Sequence, residues 1–254
     1  MEFFAISDLH VEGPDDPLYH SLLRLLRNRA QPGDTVVLAG DIFDLFVGNK
    51  SLFVNRYAVF FEALREASLR GVSLHYIEGN HDFLIRRAFR NIPGLVVHAE
   101  KVVVQKGSRR FYVAHGDLVD QSDLGYRVLR HFFRSPLMKA IVTLVPGAWL
   151  DWFGQRSSLA SRARNRAMWS GDRVVSIERR EELRRKYRSF AAERLAEGHD
   201  YVVLGHCHDL DEMGFVIGGR MGKYMNIGYP RAHGSFLSWT DQDAQPDLQR
   251  EPLP

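Results

Sequence analysis

Short runs of β-branched and aromatic residues recur along the 254-residue chain and are typical of strands. The predicted strands are EFFAIS, TVVLAG, SLHYIE, RFYVA, YVVLG, MGFVIG, KYMNIG and SFLSW. Between the early runs, LYHSLLRLLRN and RYAVFFEALREASLR place apolar residues three and four positions apart, as an amphipathic helix requires. Strand and helix alternate first and strands follow strands later, which predicts an α/β fold with a more antiparallel second part.

The spacing of these elements predicts the domain organisation. Between HGD at 115–117 and YVVLG at 201–205 the pattern is helical, and this segment is far longer than the roughly two to six residues of an ordinary connection. We therefore predict an inserted helical lid over 121–199, on a core formed by 1–120 and 200–240. The polar, proline-bearing end, 241–254, is predicted to be a loosely held tail.

Composition indicates one large domain in a reducing compartment. The chain is 45% hydrophobic, and its single cysteine allows no internal disulfide, as is typical of the cytoplasm. The start, MEFFAISDLH, has no pattern of a cleaved leader. The apolar stretch AIVTLVPGAWL at 140–150 is shorter than the roughly 20 residues of a membrane-spanning helix, so no such span is expected.

Positive charge is concentrated in the predicted lid. Residues 121–200 contain 16 lysines and arginines against 9 acidic residues, whereas the remainder contains 18 against 22. This excess indicates either solvated helix faces or attraction to an anionic substrate or lipid headgroups. The lid has no recognised nucleic-acid motif, so nucleic acid is not the expected partner.

Five predicted strands run directly into polar residues that can bind metal ions. These residues are Asp8 and His10, then Asp41, then Asn80, His81 and Asp82, then His115 and Asp117, and finally His206 and His208. Because the carboxyl ends of neighbouring strands in an open α/β sheet meet at one edge, the five clusters are expected to converge.

Cys207 lies between two of these histidines. Side chains alternate in extended backbone, so His206 and His208 are expected on one side and Cys207 on the other. We therefore predict that Cys207 is not a ligand.

Without Cys207, the potential ligands supply only oxygen and imidazole nitrogen atoms, and they predict a site for two metal ions. These ligands are Asp8, His10, Asp41, Asn80, His115, His206 and His208. Oxygen and imidazole ligands suit Mn²⁺, with Fe or Zn²⁺ as alternatives. Their number exceeds the need of one tetrahedral ion, so a pair bridged by Asp41, which stands alone after its strand, is predicted. Such a pair hydrolyses phosphoesters or phosphoanhydrides. His81 is the candidate to stabilise or protonate the leaving group, with Asp82 orienting its ring, and a structural role for His81 is the alternative.

The ordered motifs DLH, GD, GNHD, HGD and GHCH resemble those of the calcineurin-like metallophosphoesterases. The resemblance implies a four-layer α-β-β-α sandwich, here with an inserted helical lid. It also implies two ligand sets that share Asp41. One ion would take Asp8, His10, Asp41 and His208, and the other Asp41, Asn80, His115 and His206.

A narrower resemblance concerns about the first two thirds of the chain. GDIFDLFVG, GNHDFLI and HGDLVDQSDLGYRVLRHFFRSPLMKAIVTLVP are similar to the branch that hydrolyses UDP-2,3-diacylglucosamine to lipid X and UMP in lipid A biosynthesis. This resemblance implies substrate contacts along the lid and at the GNHD motif. The implied residues are Asn80, Asp123, Tyr126, Arg130, Ser161 and Asn165.

The lid also combines arginines with an apolar stretch. Trp149, Trp152 and Phe153 are expected either to cover acyl chains or rest on the cytoplasmic face of the inner membrane, or to pack the lid on itself.

Two departures from the branch leave the substrate open. The branch has Arg where this chain has His81, and GHTHRP where this chain has GHCHDL. The alternatives are another UDP-sugar, a CDP-lipid or a nucleotide as substrate, a phosphodiesterase or nuclease, or a binding module without turnover. Retention of all seven ligand residues argues for catalysis.

Overall fold

A computed structural model describes residues 1–152, 174–242 and 246–254, with backbone only for 174–176. The first of two large sheets contains β1 (Glu2–Ile6), β2 (Thr35–Leu38), β4 (Ser73–Ile77), β6 (Val96–His98), β12 (Ser235–Thr240) and β13 (Gln249–Pro252). Its order is β13-β12-β1-β2-β4-β6. The strands from β1 to β6 are parallel, and β12 and β13 extend the sheet in antiparallel fashion.

The second large sheet contains β7 (Lys101–Lys106), β8 (Arg109–Ala114), β9 (Tyr201–Leu204), β10 (Glu212–Ile217) and β11 (Arg220–Asn226). Its order is β10-β11-β9-β8-β7, with β8, β9 and β11 parallel and a hairpin at each edge. Two short strands, β3 (Phe46–Val47) and β5 (Asp82–Phe83), form a separate parallel pair. All eight predicted strands are confirmed.

The helices are α1 (Pro17–Arg24), α2 (Ser51–Arg56), α3 (Ala58–Leu69), α4 (Leu124–Phe133), α5 (Pro136–Leu144), α6 (Val174–Ala196) and α7 (Pro230–His233). Residues 147–152 are also helical. The start of α1 follows from its sequence: Asp16 accepts a hydrogen bond from the backbone N–H of Leu18, and Pro17 is favourable at the first helical position.

Alternating side chains of the strands build a four-layer sandwich. In β1, Phe4 and Ile6 pack on the side of α1 and α3, whereas Phe3 and Ala5 pack between the two sheets. Tyr187, together with other apolar residues of α6, covers the outer face of the second sheet. The order of layers is therefore helix, sheet, sheet, helix, as predicted.

The predicted lid boundary at 199 is wrong. Ala191 and Leu195 of α6 are buried against β8, β9 and β11, so this half of the helix is a layer of the core. By contrast, α4 contains no buried residue and α5 contains only one, Val142.

The prediction of a loose tail over 241–254 is wrong for its last part. Residues Gln249–Pro252 pair with β12, and Leu248 is fully buried. Arg250 donates hydrogen bonds to the carbonyl oxygens of Asn226 and Ile227. Polar composition did not reveal this strand, because main-chain pairing and one arginine hold it.

Among the described residues, no helix joins the length and the apolarity that crossing a bilayer requires.

Candidate metal centre and active site

The polar residues after five strands meet at one edge between the two sheets. Asp8 and His10 follow β1, Asp41 follows β2, and Asn80 and His81 follow β4. The second sheet supplies His115 after β8, and His206 and His208 after β9. The backbone N–H of His206 donates to the carboxylate of Asp8 at 3.0 Å, which ties the two sheets together at this edge.

Most of the predicted ligands have left-handed backbone conformations. Their φ angles are 53° for Asp8, 46° for His10, 53° for Asp41, 68° for His206 and 58° for His208. Such angles are uncommon for residues other than glycine and cost of order 1 kcal/mol or more each. Among the described residues, Leu84 is the one further non-glycine residue with positive φ. Strain is thus concentrated where side chains are directed into the site.

The extended geometry predicted around Cys207 is therefore wrong, because His206 and His208 are both left-handed. The sulfur of Cys207 accepts a hydrogen bond from the amide of Asn226 at 3.0 Å, and burial raises the pKa of its thiol. The thiol is thus engaged by Asn226 and disfavoured as a thiolate.

One group of potential ligand atoms comes from Asp8, His10 and His208. The Nε2 atom of His208 lies 3.3 Å from Oδ1 of Asp8 and 3.3 Å from Nε2 of His10. All three residues are buried.

A second group comes from Asp41, His115 and His206. The Nε2 atom of His115 lies 3.5 Å from Oδ2 of Asp41, 3.2 Å from Nδ1 of His206 and 3.1 Å from Oδ1 of Asn80. The same Oδ2 atom of Asp41 lies 3.9 Å from Nε2 of His10 in the first group. Asp41 thus stands between the two groups, as a bridging ligand must.

Hydrogen bonds to other atoms of His115 and Asp41 leave one ring nitrogen and one carboxylate oxygen available to bind cations. Nδ1 of His115 lies 3.0 Å from the carbonyl oxygen of Ala39, so this nitrogen carries the proton and Nε2 presents its lone pair. Oδ1 of Asp41 accepts the backbone N–H groups of Asn80 and His81, which leaves Oδ2 for the ligand groups. The donor set of carboxylate, amide and imidazole groups fits two divalent ions.

The pKa shifts agree with this fit. Burial, followed by the charge of His81, lowers the pKa of His10 to about 3, and burial with the charge of His115 lowers that of His206 to about 4. Burial alone would also lower the pKa of His115, but the Asp41 carboxylate outweighs it and raises the value to about 10. A bound cation can replace that proton.

His81 is held by Asp44, not by Asp82 as predicted. Its Nδ1 lies 2.8 Å from the carbonyl oxygen of Asp44, which leaves Nε2 as the free ring nitrogen of a side chain that lines the cavity. The carboxylate of Asp82 points elsewhere. It accepts the backbone N–H groups of Asp41, Ile42 and Gly79 and the hydroxyl of Tyr76.

The burial of Asp82 explains its different role. Burial and then the charge of Asp41 raise the pKa of its carboxyl to about 7. With donors from three backbone positions, it joins the loop after β2 to the loop after β4.

The predicted substrate residues on α4 make contacts within the protein. The Asp123 side chain accepts the backbone N–H of Tyr126 at 2.8 Å and caps the helix. Tyr126 and Arg130 both donate to Oδ2 of Asp117, at 2.8 and 2.6 Å. Asp123 and Tyr126 line the cavity, whereas the guanidinium of Arg130 is engaged by Asp117 and the carbonyl of Ala99. Ser161, Asn165 and Phe153 lie outside the described residues.

Two residues that the sequence patterns did not predict, Tyr229 and Arg231, support the ligands. The ring of Tyr229 stacks on that of His208, with centroids 4.5 Å apart and planes 4° apart. Arg231 donates to the carbonyl oxygen of His10 at 3.0 Å and also to Asp16. The signal available was YPR directly after the predicted strand KYMNIG.

A cavity of about 500 Å³ opens over both ligand groups. Its lining includes His10, Asp41, Asn80, His81 and His206 from the strand ends, and also residues of α4 and α6. This volume lies in the range of small-molecule sites and exceeds the space needed for one phosphoryl group.

Comparison with known proteins agrees with this geometry. The family model described as calcineurin-like phosphoesterase matches residues 1–210. The chain is 26% identical to the UDP-2,3-diacylglucosamine hydrolase of Pseudomonas putida (strain W619), over 98% of this chain and 97% of the relative. It is 30% identical to the protein of the same name from Pseudomonas fluorescens (strain SBW25), over 79% of each chain.

Among solved structures, the fold is similar to that of Yfce, a phosphoesterase from E. coli. The two are 15% identical with a TM-score of 0.43, and the match covers 100% of each chain. The converging strand-end ligands and the match over residues 1–210 lead to one conclusion: the chain belongs to the calcineurin-like phosphoesterase family.

Proposed function

We propose that the protein is a dimetal phosphohydrolase that cleaves the pyrophosphate of UDP-2,3-diacylglucosamine to give lipid X and UMP. The observation that carries the proposal is the pair of ligand groups that share Oδ2 of Asp41 beneath one cavity. The names of the relatives, matched over most of the chain, support the choice of substrate.

The two sets of ligand residues are Asp8, His10, Asp41 and His208, and Asp41, Asn80, His115 and His206. Two divalent ions bound there, with Mn²⁺ as our choice and Fe or Zn²⁺ as alternatives, would activate a water near neutral pH and neutralise phosphoryl oxygens. Asp41 bridges the sets, and its loop is held by Asp82.

His81 is positioned for a proton transfer or a hydrogen bond to the substrate. Because Nδ1 forms a hydrogen bond with the carbonyl oxygen of Asp44, Nε2 is the atom that faces a bound phosphate or leaving oxygen. Burial opposes a proton on His81, but the charge of Asp41 and the contact with Asp44 outweigh it and raise the pKa of the ring. A protonated ring is suited to stabilise negative charge or to protonate the leaving group.

The faces of α4 and α5 support a lipid substrate. Exposed apolar side chains are concentrated there and continue into residues 147–152: Leu124, Val128, Leu129, Phe132, Leu137, Leu144, Trp149 and Trp152. Such a surface suits acyl chains and peripheral contact with the cytoplasmic face of the inner membrane.

The experiment is incubation of the protein with Mn²⁺ and UDP-2,3-diacylglucosamine, with UMP release followed by chromatography. We expect UMP and lipid X in equal amounts, and the same reaction with Zn²⁺ or Fe²⁺ ranks the metals. Hydrolysis of bis(p-nitrophenyl) phosphate without any UMP release would refute the lipid substrate while leaving the dimetal chemistry in place.

The second candidate is hydrolysis of another UDP-sugar, a CDP-lipid or a nucleotide. The branch has Arg at both of the positions that His81 and Asp209 occupy here, and these two differences favour the second candidate. Asp209 is buried and forms an ion pair with Arg184 of α6. Parallel assays on UDP-glucose and CDP-diacylglycerol separate the candidates.

A further inference from the structure

Helix α6 forms one wall of the cavity above the ligand groups. The residues that line it are Arg179, Arg180, Glu182, Leu183, Lys186 and Tyr187. Their three- and four-residue spacing places them on one face of the helix. The same helix packs on the second sheet further along, so this face is presented by a core element.

Two forked ion pairs hold α6 in register with the last ligand loop. Arg184 donates two hydrogen bonds to the carboxylate of Asp209, which directly follows His208. One turn along the helix, Arg188 donates two to the carboxylate of Asp211. Both carboxylates are buried, so these bidentate pairs are specific in geometry.

Among the described cationic side chains of α6 that line the cavity, Arg180 and Lys186 interact with other groups, which leaves the guanidinium of Arg179 available. Asp117 is paired with Arg130, and Asp209 with Arg184. Lys186 is engaged by Asp120 at 2.8 Å and by Glu182 at 3.3 Å. Arg179 is exposed, and within the described ranges no hydrogen bond or ion pair engages it.

We propose that Arg179 is a specificity-determining residue that binds a second phosphate group of the substrate, beside the phosphate held at the metal centre. The proposal rests on the proposed function, since it assumes a substrate with two linked phosphates. A guanidinium matches phosphate oxygens with two parallel donors, and such charge-assisted contacts are stronger than neutral ones. Arg184 acts as a positioning residue, because it holds the helix that carries Arg179.

The test measures binding to the Mn²⁺-loaded protein by calorimetry, so it does not depend on turnover. The probes are UMP, with one phosphate, and the non-hydrolysable α,β-methylene analogue of UDP, with two. We expect the wild-type protein to bind the analogue roughly tenfold or more tightly than UMP, the change that such a contact implies. Arg179→Gln should remove most of this difference, and Arg179→Lys should keep part of it.

Arg185→Gln is the matched control, because Arg185 is an exposed arginine of the same helix that does not line the cavity. It should leave both affinities within about twofold. Arg184→Gln should weaken the analogue more than UMP. If Arg179→Gln retains the preference for two phosphates, or weakens both probes equally, the proposal is overturned. Lack of UMP release from UDP-2,3-diacylglucosamine would instead refute the lipid substrate alone.

Discussion

At the scale of single residues, Asp41 is the group on which both ligand sets depend. Its Oδ2 atom lies within 3.9 Å of an imidazole nitrogen in each set, so Asp41→Asn should weaken both sites together. We expect turnover to fall by more than about 100-fold, with loss of bound metal measured by elemental analysis. Asp241→Asn, at a partly exposed aspartate paired with the chain's amino terminus, is the control. Normal metal content and turnover in Asp41→Asn would contradict the bridge.

Substitution of Tyr229 is expected to affect one of the two ligand sets and not the other. Its ring stacks on His208 and contacts the edge of His10, both in the first set. Tyr229→Ala should lower metal affinity roughly tenfold in that set, the size of effect that supporting residues have, while Tyr229→Phe keeps the stacking. A Mn²⁺ titration followed by calorimetry gives the two affinities. Equal weakening of both sites, or none, would argue against this role.

At the scale of elements, Asp123 at the start of α4 can act as a helix cap or as a substrate contact, and substitutions distinguish the two roles. Asp123 accepts the N–H of Tyr126, and Tyr126 in turn contacts Asp117 near the site. Asp123→Ala should cost about 1 kcal/mol of helix stability and raise KM severalfold, whereas Asp123→Ser preserves a cap and should preserve KM. Kinetics on UDP-2,3-diacylglucosamine check this. If both variants raise KM alike, the carboxylate itself contacts the substrate.

The pairing of β4 with β6 predicts a pH dependence of stability. Nδ1 of His75 lies 3.1 Å from Nε2 of His98. Burial, reinforced by His98, lowers the pKa of His75 to about 4, and burial with the charge of Arg86 lowers that of His98. The unfolded chain, with a pKa of about 6.5, therefore binds protons first. Stability is fully present above about pH 6.5 and is lost as the pH falls toward about 4.

His75→Gln should accordingly reduce the loss of unfolding free energy between about pH 7 and 4.5, by on the order of 1 kcal/mol after solvent screening of a partly exposed ring. Urea denaturation at the two pH values measures the difference. His20→Gln, at an exposed histidine of α1, is the control and should behave as wild type. An unchanged pH dependence in His75→Gln would show that the histidine pair does not titrate as described.

At the scale of the whole molecule, the positions of the strands and the polar residues at their carboxyl ends were predictable because they depend on local patterns. Apolar runs that end in Asp8, Asp41 or His115 mark parallel strands whose ends converge. The left-handed backbone at His206, the contact of His81 with Asp44 and the edge strand at Gln249–Pro252 were not predictable. Each depends on partners distant in sequence, which periodicity does not report.

The proposed peripheral contact with a membrane can be tested on the exposed apolar surface of α4, α5 and residues 147–152. Leu137 and Trp149 are 61% and 63% exposed within a segment that also carries the excess of basic residues. Leu137→Asp should reduce co-sedimentation with vesicles of anionic phospholipid about tenfold, because burying a leucine contributes roughly 1.5 to 3 kcal/mol. An aspartate in the first turn of α5 suits the helix dipole, so folding should be retained.

Val216→Asp is the matched control, since Val216 is 71% exposed on β10, in the sheet on the other side of the core. It should bind vesicles as wild type does. Added salt should weaken the wild-type protein without abolishing binding, because the basic charge is screened while the apolar contact persists. If Leu137→Asp binds as tightly as Val216→Asp, the exposed face of α4 and α5 is not the membrane contact, and its leucines would then serve the acyl chains of the substrate alone.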